Sequence, residues 1–156
     1  TIIDLFTRMI VGWSVAVRHT SGFVKGAFED AIQRTKTIPT IIHSDQGSEY
    51  DSSEFINYAQ SLEVIISMSK KASPWENWFQ ESFYAGFKLD LGDVSRYETL
   101  GELTKAIHLT IYYYNTKTIH SKFKMSPKEF YEQWKCKNQQ INKINSLVYG
   151  NAHKIM

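Results

Sequence analysis

The chain has one cysteine, Cys136, so no internal disulfide can form, and such sparse use fits a reducing compartment. No apolar run is long enough to cross a bilayer, and the first residues lack the basic and apolar blocks of a secretory signal. Glycine-rich phosphate loops, internal repeats and low-complexity tracts are also missing. An excess of charge of one sign is missing too: the formal net charge of +2 is too mild to identify a nucleic-acid partner. Disulfide scaffolds, membrane spans and Walker-type nucleotide sites are thereby set aside. What remains is 156 residues rich in aromatics, enough for one domain with a real core.

The most organised stretch is residues 73–91, SPWENWFQESFYAGFKLDL. Ser73 and Glu76 form a capping box, and Pro74 suits the first helical position. Trp75, Phe79, Phe83, Phe87 and Leu91 recur at steps of four, which draws one apolar stripe. At about 100° per residue Glu81 falls nearly opposite that stripe, with Asn77 and Lys88 on its own line. Read by itself, this is an amphipathic helix with a solvated face.

Upstream, Ile2 and Ile3 read as the end of a strand, and residues 9–17 (MIVGWSVAV) as a second strand after a turn at Thr7 and Arg8. Helical spacing follows over residues 21–36, stopped by Pro39. Residues 40–44 suit a short buried parallel strand. Asp51 with Glu54 caps a short helix through Phe55, Ala59 and Leu62, and residues 64–68 give another strand. Lys70 and Lys71 lie in a loop. Thr99 with Glu102 starts a helix through Ile111 and Tyr114, in which the tyrosines 112, 113 and 114 read mainly as core and interface aromatics. Ser126, Pro127 and Glu129 start a last helix ending near Trp134. Strand, strand, helix, strand, helix, strand and then helices make an α/β layer fold with a mixed sheet.

Asp45 directly follows a strand, in the loop Asp45-Gln46-Gly47-Ser48, where ligands of open α/β sheets gather. Thirty-five residues separate it from Glu81, room for a helix, a strand and a loop that return the chain to the same sheet edge. Two carboxylates meeting at a strand end suit a hard divalent cation and phosphodiester chemistry. His43 shares a strand face with Asp45 and reads as a structural histidine, because magnesium prefers oxygen. Residues 115–128 hold Lys117, His120, Lys122, Lys124 and Lys128 without an acid: either a phosphate-gripping connector or a solvated loop.

Ile3-Asp4-Leu5-Phe6-Thr7-Arg8 with Val11-Gly12-Trp13, His43-Ser44-Asp45-Gln46-Gly47-Ser48-Glu49-Tyr50, Trp75-Glu76-Asn77, Glu81-Ser82-Phe83 with Lys88, Tyr114-Asn115, His120-Ser121 and Ser126-Pro127 occur in that order. Together they resemble the catalytic core of insertion-sequence transposases of the retroviral-integrase superfamily, the Asp-Asp-Glu enzymes with a ribonuclease H-like fold. The resemblance covers residues 2–134 and includes the thirty-five-residue spacing. It implies that Asp45 and Glu81 are the second and third catalytic, metal-binding carboxylates, serving two Mg²⁺ (or Mn²⁺) ions. It implies DNA contacts from Lys88 and from the loop holding Lys70 and Lys71, with Asn77, Lys117, His120 and Lys122 as further DNA-binding candidates. Double-stranded DNA at element ends and target, self-association, no membrane and a cytoplasmic, nucleoid-associated place in a bacterium go with it.

The pattern breaks at the first Asp. The resemblance implies three antiparallel strands before the first helix, with the first Asp on the first. Only one fits between Asp4 and the helix at Ser21, so Asp4 is expected to end the second strand and cap the turn, with Arg8 as a candidate partner. The first, central strand and its Asp are expected before Thr1, with residues 1–135 an N-terminally shortened core and 136–156 a tail, frayed or irregularly helical. Loss of a central strand leaves dry backbone groups unpaired on its neighbours and removes a metal ligand. The chain as it stands is therefore expected to be poorly stable and inactive. A stand-alone nuclease of the same fold and a non-catalytic DNA-binding remnant stay open as alternatives.

Overall fold

A computed structural model describes residues 1–16, 21–70 and 78–149 of the chain. The elements are β1 (Ile2–Ile3), β2 (Ile10–Gly12), α1 (Ser21–Thr35), β3 (Ile41–Ser44), α2 (Ser53–Ser61), β4 (Ile65–Met68), α3 (Trp78–Leu91), a 3₁₀ turn (Val94–Arg96), α4 (Leu100–Thr116) and α5 (Pro127–Tyr149). Their order is the one the hydrophobic periodicity predicts. The chain divides into two compact units, Thr1–Ile111 and Tyr112–Met156.

In the first unit β1 and β2 pair antiparallel, and β3 and β4 pair parallel in the register Ile41↔Ile65 to Ser44↔Met68. Bonds from Ile65 N–H to Thr40 O and from Ser69 N–H to Ser44 O extend the parallel ladder at both ends. The expected single mixed sheet is therefore two two-stranded sheets, because no strand among the described residues bridges them. Val24 and Phe28 of α1, Ile42 of β3, Phe55 and Ala59 of α2 and Val64 form the core. Phe28 meets Phe55 and Tyr58 edge-on with centroids 6.1 and 6.2 Å apart, so aromatic contacts tie α1 to α2.

Several local expectations need correction. The second strand ends at Gly12, well short of residue 17: the Trp13 N–H donates to Asp30 Oδ2 of α1 (3.1 Å) and not to a strand neighbour. β3 is buried on one face only, with Ile42 and Ser44 inside and Ile41 and His43 outside, because no layer covers its other side among the described residues. Ser52, not Asp51, caps α2, accepting from the Phe55 N–H at 3.3 Å. Tyr112 and Tyr113 are each 56% exposed and are not core. The last helix continues past Trp134 to Tyr149, since residues 128–149 contain no proline or glycine to stop it. The Ser73–Glu76 capping box and Trp75 lie outside the described residues.

β2 lies so close to α1 that a Cβ at Gly12 would stand 2.4 Å from the Ala27 carbonyl oxygen and 2.5 Å from the Ala31 Cβ. Backbone cannot yield cheaply there. Gly12→Ala should lower the unfolding free energy by about 1–3 kcal/mol, the usual scale of overpacking; urea denaturation checks it, and an unchanged midpoint would show that the strand can lift off the helix.

Candidate active site

Asp45 stands one residue beyond β3, exposed, at the carboxyl end of the parallel pair. Its Oδ1 accepts from the Gly47 N–H at 3.1 Å, an Asx-type turn that orients the carboxylate. A Cβ at Gly47 would meet that same oxygen at 3.1 Å and the Glu49 carboxyl group at 3.0 Å, so a side chain there would crowd both carboxylates. The loop is tied off behind it by Tyr50 N–H to Gly47 O (2.9 Å) and Ser52 Oγ to Glu49 O (3.0 Å), and α2 begins at once.

Glu81 lies in the first described turn of α3 and is exposed. Phe83 and Leu91 are buried and Phe79 and Phe87 half-buried, so the apolar stripe faces inward and Glu81 outward, as the periodicity predicts. Lys88 is exposed two turns further on. The helix stops at Gly92, in the left-handed region at φ 69°, where Arg96 Nη2 (2.7 Å) and Tyr97 Oη (3.2 Å) donate to the Leu91 carbonyl.

Tyr50, in the Asp45 segment, feels charge from both elements. Burial, then the nearby Asp45 carboxylate, the Tyr84 phenol and Glu49, push its phenol up to about 12. Tyr84 sits one turn after Glu81 on α3, so the Asp45 loop and the Glu81 helix share one electrostatic neighbourhood. The β1–β2 hairpin also grips α3. Gln80 Nε2 donates to Thr1 Oγ1 (2.7 Å), Thr1 Oγ1 donates to Tyr84 Oη (3.2 Å), and the Arg8 guanidinium lies 3.3 Å from the centre of the Phe79 ring.

Asp4 does what the turn reading expects, through Thr7: its Oδ1 accepts from the Thr7 N–H and Oγ1, both at 2.6 Å. His43 Nδ1 pairs with Ser67 Oγ across the parallel register (2.9 Å), a structural bond. Lys70 is exposed just after β4; Lys71 and Asn77 lie outside the described residues. Lys117, His120 and Lys122 belong to the second unit. There His120 bridges to Met125, its ring lies 4.9 Å from Phe123, and Phe123 stacks on Phe130 at 4.0 Å. Lys117, Lys122, Lys124 and Lys128 are all exposed around that knuckle. Reading the sequence alone overlooked Tyr50, Gln80 and Tyr84 as neighbours of the acids, although Tyr50 stands in the Asp45 segment and the other two flank Glu81.

An all-oxygen pair of carboxylates fits a hard divalent cation. It is only a partial set: among the described residues no three His, Cys, Asp or Glu side chains converge.

Two family models, both described as integrase core domain, match residues 1–74 and 81–134. The chain belongs to the integrase core domain family. This integrase core is 40% identical over 131 residues to the transposase for insertion sequence element IS904 of Lactococcus lactis, covering 82% of the chain and 52% of the relative. It is 32% identical to an uncharacterized transposase-like protein of Haemophilus influenzae, over 83% of the chain and 61% of that relative. It thus spans roughly half the length of such relatives. Among solved structures it resembles the HTLV-2 integrase catalytic core domain in complex with magnesium, with a TM-score of 0.65 and 21% identity over 81% of this chain and 79% of that one. The BIV integrase catalytic core gives a TM-score of 0.62 and 20% identity over 81% and 80%. The fold is the ribonuclease H-like α/β fold of integrase cores. No helix among the described residues is long and apolar enough to cross a membrane.

The Tyr50 neighbourhood can be tested by alkaline titration of tyrosine absorbance. Tyr50→Phe should remove the component near 12. Asp45→Asn should move it downward, because removing an anion makes phenolate easier to form. A raised phenol pKa favours the folded state below about 10, the unfolded value, and that contribution fades as pH climbs towards about 12. An unmoved component in Asp45→Asn would separate the Asp45 loop from Tyr50.

Proposed function

We propose that the chain is the greater part of a DNA transposase catalytic core that hydrolyses a phosphodiester at an element's end and joins the freed 3′-hydroxyl to target DNA. The observation that carries this is the exposure of Asp45 and Glu81, at the spacing of Asp-Asp-Glu enzymes, in a chain belonging to the integrase core family. Mg²⁺ or Mn²⁺, two ions in the complete enzyme, would when bound polarise the scissile phosphate and activate the attacking oxygen. Asp45 and Glu81 would hold the cations. The Gly47 N–H would keep one Asp45 oxygen turned while the other stays available. Lys88, on the same exposed helix face as Glu81, and Lys70 with Lys71 and Asn77 would contact the phosphate backbone of double-stranded DNA; Lys117, His120 and Lys122 would add phosphate contacts from the second unit. Other copies of the chain would join it on DNA, in the cytoplasm beside the nucleoid.

The third acid would come from a strand seated between the two small sheets. The lack of any hydrogen bond between β1–β2 and β3–β4 among the described residues supports this reading. Residues 1–156 alone would then be inactive, and calorimetry should find no tight stoichiometric binding of two Mg²⁺ ions; finding it would refute the need for a further acid.

In a full-length protein carrying this sequence, Glu81→Gln should lower end cleavage by at least about a hundredfold, the scale of losing a preorganised charge stabiliser. A pre-cut end supplied to the unmodified protein should give joined product. Cleavage without joining would favour a nuclease, and a biological effect indifferent to Glu81→Gln would favour a non-catalytic DNA-binding role.

A further inference from the structure

Arg8 occupies a position its backbone does not suit. Its φ of 64° lies in the left-handed region, where glycine or asparagine is the ordinary choice. The turn does not need an arginine side chain. Asp4 and Thr7 close it through the Thr7 N–H and hydroxyl, and its backbone is completed by Arg8 N–H to Asp4 O (2.8 Å) and Asp4 N–H to Met9 O (2.9 Å). Yet Arg8 is buried, at 7% exposure, with its guanidinium 3.3 Å from the centre of the Phe79 ring. Phe79 is two residues before Glu81 on α3. Gln80 and Tyr84, held by Thr1, lie immediately before Glu81 and one turn after it.

We propose that Arg8 is a positioning residue for the reaction: by stacking on Phe79 it fixes the rotation of α3 about its own axis, and hence where the Glu81 carboxylate arrives. The inference rests on the transposase reading given above. Two grips at different azimuths, Phe79 on one side and Gln80 with Tyr84 about 100° round the helix, define a rotation that neither defines alone. A carboxylate carried about 5–6 Å from the axis moves by roughly 2 Å when the helix turns 20°. Magnesium demands near-octahedral ligands at about 2.0–2.1 Å, so a displacement of that size removes a ligand. A planar guanidinium suits this role where an ammonium does not, because it can lie flat on an aromatic ring.

The test uses a full-length protein carrying this sequence, with Arg8→Ala, Arg8→Lys, Phe79→Leu, the ring-preserving Phe79→Tyr and the double variant Arg8→Ala/Phe79→Leu. End cleavage is followed against Mg²⁺ concentration, and hydrogen exchange is read at the amides of residues 82–86. Arg8→Ala, Arg8→Lys and Phe79→Leu should each raise the Mg²⁺ concentration for half-maximal cleavage about tenfold or more, as loss of a group supporting a metal ligand does. The KM for DNA should stay unchanged. The same variants should speed exchange in residues 82–86 but not in β3 and β4. Phe79→Tyr should behave as the unmodified protein, and the double variant should be no worse than the poorer single. Unchanged Mg²⁺ dependence, unchanged exchange in α3, or additive losses would each overturn the proposal. Absence of cleavage in the unmodified protein would instead defeat the transposase reading, and exchange alone would then decide whether Arg8 holds the helix.

Discussion

Burial of Phe28 against Phe55 is the contact on which the first unit depends. It binds α1 to α2, and the same cluster takes in Ile42 from β3 and Val64 at the edge of β4. The Asp45 loop is suspended between two of those anchors: Ile42 and the buried Ser44 precede it, and Phe55 follows it by one helical turn from the Ser52 cap. A loop built this way stays exposed while both of its ends are held by buried side chains. That arrangement lets a polar site sit on a small core without placing charge inside it.

The Glu81 helix is secured differently. Only Phe83 and Leu91 of α3 are fully buried, so packing alone defines it weakly. Arginines supplement it near both ends: Arg8 lies on Phe79 in the first described turn, and Arg96 donates to the last carbonyl at Leu91. The two acids therefore differ in support. Asp45 is oriented by its own turn, whereas Glu81 inherits its place from the hairpin and the helix cap.

Element order and the inward face of α3 were legible in the sequence because periodicity reports burial, and Phe83 and Leu91 recur on that period. Asp45 and Glu81 are proposed from the sequence because the Asp45 segment, the spacing and the neighbours of Glu81 form an ordered set. What escaped was decided by contacts distant in the chain. Branched residues after Gly12 favour a strand locally, but the Trp13 N–H is taken by Asp30. The propensity of Asp51 for a cap lost to Ser52, whose oxygen has the better reach to Phe55. Tyr112 and Tyr113 look like core by composition, but they fall on an exposed face. The roles of Arg8 and Tyr50 depend on which helix arrives beside them, and no local pattern carries that information.

The most direct measurement is a crystal structure of a full-length protein carrying this sequence, grown with Mg²⁺. The account predicts that one oxygen of Asp45 and one of Glu81 lie within about 2.0–2.1 Å of a single ion. Electron density placing either carboxylate away from the ion, with the metal held by other groups, would contradict it.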